Sequence, residues 1–151
     1  SQWLAHLSIA IFILAAVFTE QFDKDYNIEF SKNSQATQSL NRSIDITLND
    51  IHESSFSNHQ KIKVDVTINK SGNIIQLNPS KNIYQPSGQV TTEVSKKNYY
   101  FDNFYSTITS ITESNVILNI VYKPLINLLW LSTMLLILGI GLSIFRKNKY
   151  E

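Results

Sequence analysis

Two charge-free apolar runs, one near each end, constrain this chain more than any other feature: residues 3–18, WLAHLSIAIFILAAVF, and residues 124–145, PLINLLWLSTMLLILGIGLSIF. Eleven of the twelve acidic residues lie between Glu20 and Glu113, so the ends favour lipid and the middle favours water. The second run, at about 1.5 Å per residue, reaches about 33 Å and covers a hydrocarbon core of about 30 Å. It predicts a transmembrane helix over 123–145. The first run reaches only about 24 Å on the same rise, and is read as a short transmembrane helix over 1–19. The chain starts at Ser1 and its single methionine is Met134, which points to a cut, a processed end or a junction with a partner chain. A secretory signal peptide needs a basic region before its apolar one, and the first basic residue here is Lys24.

The positive-inside bias sets an orientation. Arg146, Lys147 and Lys149 follow the second run, so the tail 146–151 is expected in the cytoplasm or a mitochondrial matrix. The region 20–122 then lies in periplasm or intermembrane space. Its nine basic and eleven acidic residues argue against a nucleic-acid surface. Without cysteine there is no disulfide, thiolate metal site or CxxCH attachment site. Eleven lysines against two arginines, with abundant Asn and Ile, fit an AT-rich and organellar genome.

The middle region reads as β. Ile44, Ile46 and Leu48 alternate with polar residues, as do Ile62, Val64, Val66 and Ile68, a period of two that buries one face of a strand. Residues 69–73, NKSGN, place Gly72 where a hairpin needs positive φ, and apolar residues resume over 74–77. Further strands are predicted over 99–111 and 116–122, with an edge strand at 26–30. Residues 31–40, 51–60 and 77–93 read as loops. The expected architecture is a membrane protein of α+β class, two transmembrane helices flanking a small antiparallel sandwich or barrel. Held at both ends in one bilayer, the domain should have its termini close together.

His6 is the one residue with unusual chemistry. An ionisable group at membrane depth is costly and usually faces a bundle interior. A neutral imidazole there can ligate haem iron; the ordinary alternatives are a hydrogen bond to a neighbouring helix or a place near the membrane interface. Trp3, Ile9, Ala10, Ile13 and Val17 share its side of the helix, and Ala10 one turn on leaves room for a flat macrocycle. His52 and His59 stand seven apart in a polar stretch, a spacing that suits neither a helical nor a strand metal pair. Gly139 and Ser143 form a small-xxx-small pair suited to close helix packing. No Ser/His/Asp set, phosphate loop or acidic metal cluster stands out.

Three motifs occur in order: WLAHLSIAIF at 3–12, LNPSKNIYQPSGQVTTEV at 77–94 and KPLINLLWLSTMLLILGIGL at 123–142. Together they resemble the C-terminal part of the CcmF family, the haem lyase subunit of the cytochrome c maturation system. The resemblance implies that His6 is an axial ligand of a transmembrane haem b. The opposite ligand would come from another chain or from a missing N-terminal part. It implies that Pro79, Lys81, Tyr84, Thr91, Thr92 and Glu93 help to position haem or substrate. Ser8, Ser80 and Asn82 depart from the family pattern, as do Leu131 and Ser132 after Trp130. The implied partners are haem lyase chains carrying a tryptophan-rich motif and the second ligand, a haem chaperone and apocytochrome c. The implied site is the mitochondrial inner membrane, or a bacterial plasma membrane. The chain would then be part of a lyase complex, not an enzyme alone. Rival expectations are an accessory subunit without haem, and a binding module displayed outside the membrane.

Overall fold

The computed structural model describes residues 2–32, 35–41 and 43–147. Lys149, with the rest of the tail over 148–151, and Ser1 lie outside the described residues. The chain runs α1 (Gln2–Phe22), β1 (Lys24–Ser31), β2 (Thr37–Asn41), β3 (Ile44–Ser55), β4 (His59–Lys70), β5 (Asn73–Leu77), β6 (Ser80–Tyr84), β7 (Val90–Glu93), β8 (Ser95–Tyr99), β9 (Asp102–Ile111), β10 (Asn115–Lys123) and α2 (Ile126–Lys147). Two compact units result. One joins residues 1–24, 98–103 and 122–151; the other joins 25–97 and 104–121.

The first unit is built on the helix pair. Both helices are long and apolar enough to cross a membrane, and together with the β-rich remainder they make this an α+β membrane protein. The shortfall expected for the first helix does not arise: α1 has 21 residues and continues through Glu20 and Gln21 to Phe22, because a charge at a helix end does not interrupt its backbone bonds. Ser8, Ala15 and Thr19 are buried at 1%, 0% and 9% exposure. Their spacings of seven and four trace one stripe of a helix. Across the seam, Ser132 and Gly139 of α2 are buried, and a Cβ added at Gly139 would lie 3.2 Å from the Ala5 backbone nitrogen. Small residues let the two backbones approach. Ser8 Oγ donates to Leu4 O at 2.6 Å and Ser132 Oγ to Leu129 O at 2.7 Å, so both buried hydroxyls are satisfied within their own helices.

Polar bonds close the mouth of this hairpin. Thr19 Oγ1 donates to Pro124 O at 2.8 Å, and Lys123 Nζ to Asp23 Oδ2 at 3.1 Å. Asp102 accepts from the Leu125 amide at 3.1 Å and from the Tyr122 hydroxyl at 2.8 Å. Leu125 takes a left-handed φ of 56°, which turns the chain after Pro124 into α2.

The second unit settles the choice between sandwich and barrel, since its strands form two separate sheets. One has the order β1-β10-β9-β8, the other β2-β3-β4-β6-β7 with β5 also on β4. The β3–β4 ladder has a bulge between Leu48 and Asp50. β4 is long enough to pair on its other side with β6 over His59–Lys63 and with β5 over Val66–Lys70. The expected β4–β5 hairpin is present, its two-residue turn carrying positive φ at Ser71 (51°) and Gly72 (90°). Each sheet buries one face: Phe30, Phe104, Leu118 and Ile120 from the first, Ile46, Val64, Ile68 and Leu77 from the second, none more than 1% exposed. The edge strand expected near 26–30 is β1, and it neighbours β10.

The three expected loops are largely strands. In 31–40 the polar strand β2 is held by cross-strand pairs, Thr37 with Thr47 Oγ1 at 2.9 Å and Ser39 with Asp45 at 2.6 Å. An edge strand with a solvated face needs no apolar alternation. Residues 51–60 extend the β3–β4 ladder beyond the core, leaving only residues 56–58 as the turn. In 77–93, β6 and β7 pair around a turn over 85–89. The stretch 99–111 is broken at Tyr100, whose φ is 51°, so β8 and β9 are separate.

Leu118, fully buried on β10, and Ile74, 71% exposed, separate packing from composition. Leu118→Ala should lower unfolding free energy by about 2–5 kcal/mol, and Ile74→Ala by less than about 0.5 kcal/mol, measured by urea unfolding of the full chain in detergent.

Candidate functional site

His6 sits in the second turn of α1 and is exposed. It lies two residues before Ser8, about 200° around the helix at 100° per residue, and therefore on the side facing away from α2. Ala10, Ile13 and Val17 follow it along that face, with Ile13 55% and Val17 53% exposed. Trp3, 69% exposed, stands one turn before. The face is apolar apart from the imidazole, with the small Ala10 beside it.

The six residues expected around 77–93 do not converge. Pro79 is buried, and its carbonyl accepts the Val64 amide at 3.0 Å. The β6–β7 register opposes Ser80 to Glu93, Lys81 to Thr92 and Asn82 to Thr91, so alternate residues lie on opposite faces. Lys81, paired with the buried Ile62, falls on the core side, and its Nζ donates to Thr109 O at 3.1 Å. Thr92 shares that side. Ser80, Asn82, Tyr84, Thr91 and Glu93 share the other.

On that other face Glu93 is a junction. It accepts from Ser80 Oγ, from Lys61 Nζ at 2.9 Å and from Asn82 Nδ2 at 3.1 Å. The hydrogen bond from Ser80, with those from Lys61 and Asn82, lowers its pKa to about 2. A carboxylate held by three donors stays ionised, so Glu93 clamps β4, β6 and β7 together and is poorly placed to accept a proton. Ser80 and Asn82, which depart from the family motif, are its partners. Lys61 went unnoticed in the sequence because it lies 32 positions away, and no local pattern signals such a pair.

Neither His52 nor His59 stands in a loop. His52 is on β3, with Nε2 3.0 Å from Asp65 Oδ2. Burial alone would raise the Asp65 pKa, but hydrogen bonds from Asn78, Lys63 and His52 outweigh it and hold the pKa below the usual value. His59 opens β4, stacked on Phe56 with centroids 4.6 Å apart and 5.2 Å from Tyr84. Among the described residues, no group of three or more His, Cys, Asp or Glu is arranged to hold a metal ion.

A membrane-anchored β-sandwich module is thus the class that fold and site define. Searches by sequence matched no family and no curated protein. By structure, the chain is similar to a solved protein described as Cytochrome c Heme Lyase CcmF, with a TM-score of 0.64 at 12% identity. The match covers 90% of this chain and 23% of that one. At this identity the likeness is one of fold, and the chain spans about a quarter of its neighbour's length.

Because the pKa of Glu93 is lowered on folding, the stability it contributes is present above about pH 4.5 and is lost as pH falls towards 2. Urea midpoints of the wild type should therefore drop between pH 5 and 3. Glu93→Gln should start lower at neutral pH and show a shallower acid dependence.

Proposed function

We propose that this chain supplies one axial imidazole, His6, to a membrane-embedded haem b, as the C-terminal subunit or part of a lyase assembly that attaches haem to apocytochrome c. The observation that carries this reading is the outward-facing His6 on α1, within a fold similar to a cytochrome c haem lyase over 90% of the chain. The face fits one side of a porphyrin in chemistry: a nitrogen donor, a small residue one turn on, and the apolar Trp3, Ile13 and Val17 around it. A bound haem would supply reversible one-electron chemistry at iron. His6 would hold the iron from one side while its neighbours exclude water. The opposite ligand comes from another polypeptide or from further sequence of the same protein.

In this reading the partners are the chains that carry the tryptophan-rich motif and second ligand, a haem chaperone and apocytochrome c. Pro79, Lys81, Tyr84, Thr91, Thr92 and Glu93 serve mainly to set the shape of the external domain. The membrane is the mitochondrial inner membrane, with a bacterial plasma membrane the alternative. The lysine-rich composition fits an organellar genome, and the basic residues Arg146 and Lys147 after the apolar part of α2 support a sandwich on the outer side.

The purified complex tests this by its reduced-minus-oxidised visible spectrum. His6→Ala should abolish the b-type band. Ala10→Leu, which keeps the ligand but fills the space beside it, should diminish the band. A spectrum unchanged in both variants would return His6 to helix packing.

A further inference from the structure

Among the described residues five strands have one side unpaired, β1 and β8 in one sheet and β2, β5 and β7 in the other. Exposed edges recruit foreign strands unless they are blunted by charge, proline or a bulge. β1 carries Lys24, Asp25 and Glu29, β8 carries Lys96 and Lys97, and β2 is irregular between Ser39 and Asn41. β5 runs into Asn78, whose amide donates to Ser95 Oγ at 2.9 Å, and then into Pro79. β7, Val90–Glu93, is only four residues long, but it carries neither a proline nor a bulge. Its one charge, Glu93, is neutralised by Lys61 at 2.9 Å, and Val90 and Val94 remain 49% and 55% exposed.

The ladder also shows which backbone groups are open. Tyr84 N donates to Gln89 O at 2.8 Å, and the β6–β7 register continues from that pair through Asn82–Thr91 to Ser80–Glu93. In an antiparallel pair hydrogen-bonded positions alternate, so Thr91 and Glu93 bond to β6 while the N–H and C=O of Val90 and Thr92 point outward. Among the described residues no strand covers them.

We propose that β7 is a docking edge where an extended segment of a partner polypeptide adds as a further strand, and that acidic residues flanking that segment are favoured. The edge supplies backbone donors and acceptors. The charge preference follows from Lys96 and Lys97, both exposed, two and three residues after Val94, Lys96 with its Nζ 5.4 Å from the Tyr105 ring centroid, with Glu93 already satisfied. The proposal is independent of haem.

Binding to the full chain in detergent is measured with a fluorescent peptide of sequence EVTVTVE and the same peptide with alternate amides N-methylated, which cannot pair along one edge. The unmodified peptide should bind saturably, and the methylated form about ten-fold more weakly, as expected for about 1.4 kcal/mol of lost hydrogen bonding. Thr92→Pro removes an outward N–H that makes no bond to β6, a position where an edge strand tolerates proline. It should weaken binding similarly while leaving the unfolding midpoint nearly unchanged. Lys96→Glu with Lys97→Glu should also weaken it. Failure of the peptide to bind, or binding unaffected by Thr92→Pro, would overturn the proposal. So would a concentration-dependent dimer of the chain abolished by Thr92→Pro, which would assign the edge to self-pairing.

Discussion

The adjacency of β1 and β10 is the constraint on which the rest of the structure depends. A domain inserted between two spanning helices must receive the chain and return it at one place. Pairing the first strand with the last meets this within the sheet itself. Side-chain bonds reinforce the pair along its length, Asn115 to Glu29 and Asn119 to Asp25 and Asn27. Within the first unit, α1 and α2 pack directly against each other. Their small-residue seam then provides close packing where lipid offers no hydrophobic drive between helices. Thr19 and Asp23, bonded to Pro124 and Lys123, join the two chain ends a second time.

The core was legible in the sequence because alternation is a direct physical demand. Ile44, Ile46 and Leu48 and the run from Ile62 to Ile68 can bury one face only as strands, and they do. What escaped the pattern shares one property: its stability comes from partners distant in sequence. β2, β6 and β7 are polar and read as loops, yet ladders to β3 and β4 make them strands. The Glu93 clamp belongs to the same class, since Ser80, Asn82 and Lys61 meet only after the sheet has formed. The end of α1 was misjudged for a different reason. Charge marks where lipid ends more sharply than where a helix ends.

His6 was legible for the opposite reason, needing no partner to be conspicuous, because an ionisable group in an apolar run is rare and costly. The structure sharpens the argument. The α1 seam toward α2 is made of Ala5, Ser8, Ala15 and Thr19, and its buried hydroxyls already bond to backbone carbonyls. His6 lies off that seam, and among the described residues no hydrogen bond reaches it. A polar group left without a partner in hydrocarbon is unfavourable by several kcal/mol. In the proposed reading, that partner is a haem iron.

A fold can be shared at 12% identity because its packing demands are loose. Alternating apolar residues are interchangeable, and a seam of small residues can be written with Gly, Ala or Ser, so neither preserves particular identities. Positions that face outward are different, because their partner lies outside the chain and cannot adjust with it. By this logic the informative residues are the few turned away from the chain's own packing: the imidazole on α1 and the open amides of Val90 and Thr92. The helix hairpin holds the first and the sandwich the second.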